Sequence, residues 1–128
     1  MKYVLVLAIA IPAASAQAHD AESMPCLQSA NTIEKNICLG REVEALERSI
    51  SLQVARVSAL LRKQDVQEPV VKLAPAFESS QAKWQKFQEA ECNFRSLSFG
   101  SGTGAPAAAA FCKLELGRSR LSYLEGLQ

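Results

Sequence analysis

Four cysteines, Cys26, Cys38, Cys92 and Cys112, constrain this chain of 128 residues more than any other feature. They follow a segment with the layout of an export signal. Met1-Lys2 supplies a short positive start, residues 3–11 form an apolar run, and Pro12 breaks it. Ala-Ser-Ala at 14–16 and Ala-Gln-Ala at 16–18 are small-x-small cleavage signals. The run is shorter than the ~20 apolar residues that a bilayer-spanning helix needs. Ser23-Met24-Pro25, ahead of Cys26, is no lipobox. Residues 1–18 are therefore predicted to be a cleaved signal peptide, and residues 19–128 a single periplasmic domain, exported, soluble and without a membrane anchor.

An even cysteine count in a small exported domain reads as two disulfides, in a domain whose modest core gains from covalent staples. A four-thiolate zinc site would need close Cys-x-x-Cys pairs, which these positions do not offer. No metal or cofactor is expected. Three connectivities are possible. Pairing Cys26–Cys38 with Cys92–Cys112 is preferred, each bond closing a loop worth about 3 kcal/mol in the chain-entropy model. Cys38–Cys92 with Cys26–Cys112 is equally compatible with helix packing.

The hydrophobic pattern is helical. Asn31 stands three residues before Glu34, a variant of the capping box. Beyond it Ile33, Ile37, Val43, Leu46, Ile50, Val54, Val57 and Leu61 recur at spacings dominated by three and four, predicting a helix over 32–63. Gly40 lies inside it, where a kink is possible. After a polar turn at 64–68, Pro69 or Pro75 opens a second helix over 70–95, because proline is tolerated in a first turn. Leu73, Phe77, Trp84, Phe87 and Phe94 carry its apolar stripe, with Trp84 read as core. Ser-Phe-Gly-Ser-Gly-Thr-Gly at 98–104 is a loop, and Pro106 begins a third helix over 106–125. The predicted fold is all-α: a small antiparallel three-helix bundle, up-down-up, stapled by two disulfides. Its connectivity gathers all four cysteines and the glycine loop at one pole.

Catalytic chemistry finds no constellation. His19, the only histidine, lies at the signal junction, so no Ser–His or Cys–His nucleophile system can be assembled. Glu42/Glu44 and Glu89/Glu91 are spaced by two and fall on different helical faces. The glycine loop lacks the Lys of a phosphate-binding P-loop. Losing Lys2 with the signal leaves 13 basic and 13 acidic side chains. A neutral domain with 6% aromatics has neither the field nor the stacking surface for nucleic acid.

The residues do resemble a family. Gln81-Ala82-Lys83-Trp84, Phe87 and Glu89-Ala90-Glu91-Cys92-Asn93-Phe94, followed by the glycine loop, Cys112, Gly117, Arg120 and Leu124, are similar to the signature of the LprI-type lysozyme inhibitor family. Upstream, Cys26, Asn31, Thr32, Glu34 and Cys38 resemble its opening. Where the family carries Tyr-Arg-Asp before the third cysteine, this chain has Phe87-Gln88-Glu89, and Gly117 stands for a Thr. The family's Asn-x-x-Tyr on the first helix is missing from the stretch that holds Glu47 and Ile50. The resemblance implies a bacterial envelope protein that binds and blocks peptidoglycan-cleaving lysozyme. The alternative is a non-catalytic envelope interaction or adaptor domain that binds another secreted protein.

In either case the candidate partner-binding surface is the cysteine pole: Ser98, Gly100, Ser101, Gly102, Thr103 and Gly104, with Arg95 at the edge. Small residues admit close approach, and the hydroxyls both donate and accept hydrogen bonds. A shorter turn would suffice to connect two helices.

Overall fold

Asn31 lies in extended backbone, and its side-chain oxygen accepts the Glu34 N–H at 2.9 Å, opening α1 (Thr32–Gln67) where the capping pattern places it. The computed structural model describes residues 25–127. The expected signal peptide and His19 lie outside the described residues. A single 3-10 turn, Pro25–Gln28, precedes α1.

Helix α1 runs four residues past its predicted end, through most of the expected polar turn. It stops at Glu68, whose N–H reaches Gln64 O, because the residue before Pro69 is disfavoured in helical backbone. Gly40 causes no break. Helix α2 (Leu73–Leu97) begins later than predicted, so Pro69 does not open it, and Pro75 sits in its first turn. The local sequence provides no cap there. Instead Asp65, still on α1, accepts the Leu73 N–H at 2.7 Å and the Ala74 N–H at 3.0 Å. One carboxylate thus satisfies two of the orphan donors at the helix start. Helix α3 (Ala105–Glu125) starts after Gly104, with Pro106 as its second residue.

Ties at both ends set the topology. Arg62 on the last turns of α1 pairs with Glu78 on the first turns of α2 at 2.6 Å. Arg56 donates to the carbonyls of Leu124 and Leu127, each at 3.2 Å, at the end of α3. At the other pole Cys26 is bonded to Cys38, and Cys92 at the end of α2 to Cys112 at the start of α3. The three helices therefore alternate in direction, as predicted, and the cysteines take the local pairing. Helix α3 packs against both neighbours more extensively than they pack against each other.

The core has two clusters. Cys26, Leu39, Val43 and Leu114 are buried near the disulfides, with Ala107, Ala110 and Phe111 against them. Ile50, Val57, Phe77 and Leu124 are buried towards the other pole, covered by Leu61, Trp84 and Leu121. Two predicted stripes are corrected by this packing. On α1, Leu39 is fully buried while Ile33 and Ile37 are exposed, because the staple to Cys26 draws the Leu39 face inward. On α2, Leu73, Phe87 and Phe94 are exposed, and Ala74, Gln81 and Cys92 take the buried face beside Phe77. Buried Gly117 leaves room on α3 for Leu46 of α1, since a Cβ there would lie 2.7 Å from Leu46 Cδ2.

Candidate functional site

The glycine loop grows out of the last turn of α2. Ser98 is the C-cap, and its hydroxyl donates to Arg95 O at 2.7 Å. It thereby helps to close the helix, and the residue remains exposed. Phe99 N–H and Gly100 N–H continue the turn onto Ser96 O and Leu97 O, and Gly100 takes the left-handed conformation with φ 64°. A side chain at that φ would be strained, which explains this glycine. Gly104 has a different reason: a Cβ there would meet the Phe99 ring at 3.3 Å. Ser96 Oγ bonds to Ala105 O at 3.1 Å and Ala105 N–H to Gly102 O at 3.2 Å, so the loop is folded onto the start of α3. The Cys92–Cys112 bond joins the two helices on either side of it.

Ser101 and Thr103 stand exposed at the tip. Among the described residues their hydroxyls make no hydrogen bond, so both keep their donors and acceptors. Arg95 is half-buried and committed to its neighbours. Its guanidinium donates to Glu91 at 2.9 Å and Glu115 at 2.7 Å, tying α2 to α3. Those two bonds, Glu91 first, raise its pKa further above the ordinary arginine value. The structure thus brings the predicted residues together at one pole but gives Arg95 and Ser98 structural partners. Sequence reading missed the apolar companions of this pole, Phe94, Leu97 and Phe99, all exposed.

A second constellation joins α2 and α3 midway along the bundle. Arg120 donates to buried Gln81 Oε1 at 2.9 Å, and its guanidinium carbon lies 5.5 Å from the Trp84 ring centre and 5.0 Å from that of Tyr123. Burial lowers the Arg120 pKa, and the guanidinium stays charged as arginines do. Trp84 is half-buried and meets this cation through its ring face. Among the described residues its indole N–H makes no hydrogen bond. Gln81, Trp84 and Arg120, three residues of the sequence resemblance, are therefore one interhelical clamp.

The family model described as Lysozyme inhibitor LprI matches residues 25–124. The chain belongs to the LprI lysozyme inhibitor family. The match spans both disulfides, the Gln81–Trp84–Arg120 clamp and the glycine loop, so the LprI fold accounts for nearly every described residue. No curated protein and no solved structure matches the chain. Among the described residues, no helix is long and apolar enough to cross a membrane, and no cluster of three or more His, Cys, Asp or Glu side chains could hold a metal ion.

Proposed function

We propose that this LprI-family chain is a periplasmic, non-catalytic protein that binds lysozyme and blocks its attack on peptidoglycan. The family match over residues 25–124 carries this reading. Residues 1–18 are its export signal, and residues 19–128 the mature inhibitor domain. The contact surface is the cysteine pole, formed by Ser98, Gly100, Ser101, Gly102, Thr103 and Gly104 with Arg95 behind them. Ser101 and Thr103 make the direct hydrogen bonds, while Arg95 and Ser98 hold the loop in shape. A loop folded onto α3 and stapled at its base loses little conformational freedom on binding, which favours affinity.

The test is the loss of turbidity of peptidoglycan suspensions by several lysozyme types, with and without the purified mature protein. Slower lysis that disappears when the disulfides are reduced is the expected result. Ser101→Trp with Thr103→Trp should abolish inhibition and leave thermal stability unchanged. Inhibition that survives the double substitution moves the site elsewhere. No inhibition of any lysozyme type rejects the lysozyme reading in favour of another envelope partner.

A further inference from the structure

Helix α2 turns an apolar line away from the bundle. Phe87, Ala90, Phe94 and Leu97 follow one another at spacings of three, four and three, the signature of a single helical face. Cys92 lies between them in sequence and faces the opposite way, into its bond with α3. Phe87 is 54% exposed, Phe94 66% and Leu97 68%, so the line faces solvent. Just ahead of it stand Lys83 and Lys86, both exposed and, among the described residues, without an ion pair. The other end of the ridge is the C-terminus of α2, followed by the uncharged loop 98–104.

We propose that this ridge is the contact of a two-fold homodimer in which α2 packs antiparallel against α2 of a second copy. The area fits a weak, reversible pair. The three large side chains expose on the order of 350 Å², within the ~300–600 Å² of the largest apolar patch on a typical monomer. Two copies contribute about 700 Å², and at an apolar share of about three-fifths the whole interface reaches about 1,200 Å², the lower edge of specific interfaces. Charge selects the orientation. A parallel pair sets Lys83 and Lys86 against the same lysines of the other copy. An antiparallel pair sets them beside the other copy's α2 C-terminus, the negative end of the helix dipole. A self-complementary patch of this kind closes on itself as a dimer and does not propagate into fibres.

Sedimentation velocity of the disulfide-intact mature protein, from low to high micromolar concentration, tests this directly. The wild type should pass from monomer to dimer across the series. Phe94→Glu with Leu97→Glu should remain monomeric throughout with an unchanged thermal midpoint, since both side chains are already in solvent. Lys83→Glu with Lys86→Glu should weaken the dimer several-fold at low salt; a tighter dimer would reject the antiparallel arrangement. A wild type that stays monomeric at every concentration, or a dimer that keeps its affinity in the Phe94/Leu97 variant, overturns the proposal. A monomer whose ridge variant loses lysozyme inhibition assigns the ridge to the lysozyme contact instead, and rejects the dimer equally.

Discussion

Around Cys26, Leu39, Val43 and Leu114 the core is aliphatic and sulfur-bearing, with Ala107, Ala110 and Phe111 packed against it from α3. Around Ile50, Val57, Phe77 and Leu124 the core itself holds an aromatic ring, with Trp84, Leu61 and Leu121 as a cover. Both disulfides belong to the first region, while polar ties such as Asp65 on the α2 start and Arg56 on the α3 end belong to the second. Both poles bury apolar side chains; the cysteine pole adds restriction of the unfolded chain, and the opposite pole adds the satisfying of helix ends. The difference also explains why the loop can sit at the cysteine pole. A staple at its base holds the neighbouring helices together beneath the tip.

The contrast is broken or sharpened by four variants. Leu124 is fully buried in the cluster around Phe77, and Leu124→Ala should cost about 3–4 kcal/mol in urea unfolding of the oxidised protein. A loss below 1 kcal/mol would mean that the second region does not depend on burial. Replacing Cys92 and Cys112 together by Ser should cost about 3 kcal/mol in the chain-entropy model, with amide exchange rising first at the α2–α3 junction. Equal exchange at both poles would erase the distinction between them. Asp65→Ala leaves the Leu73 and Ala74 N–H groups without their acceptor and should cost about 1–2 kcal/mol, seen as fraying of the first turn of α2 by NMR. An intact first turn would show that α2 needs no cap from α1. Gly117→Ala should have the smallest effect, about 1 kcal/mol. The new methyl meets the far end of the Leu46 side chain, which can turn aside, and a shifted melting midpoint reads the remaining strain.

Much of this architecture was legible because its signals are local. Asn31 and Glu34 mark the start of α1, Pro106 the start of α3, and the pairings that closed the shortest loops are the ones formed. The start of α2 was not, since its cap comes from Asp65 on the preceding helix and the local residues offer none. The α2 stripe failed for a reason of angle. At 100° per residue, Ala74, Phe77, Gln81 and Cys92 fall within about 60° of one another, while Phe87 lies about 80° from Phe77 on the other side, away from that buried face. The wheel alone shows two faces. It does not show which of them meets α3.

The candidate site divides in the same way. Sequence placed residues 98–104 in a glycine loop between two helices and identified the residue types able to meet a partner. It was silent on Ser98 spending its hydroxyl on Arg95 O, on Arg95 spending its charge on Glu91 and Glu115, and on Gly104 making room for Phe99. Helix periodicity, caps and cysteine spacing are properties of neighbours along the chain, so they can be read from it. Which side chains remain free to act depends on neighbours in space, and those exist only once α2 and α3 have closed on each other around the Cys92–Cys112 bond.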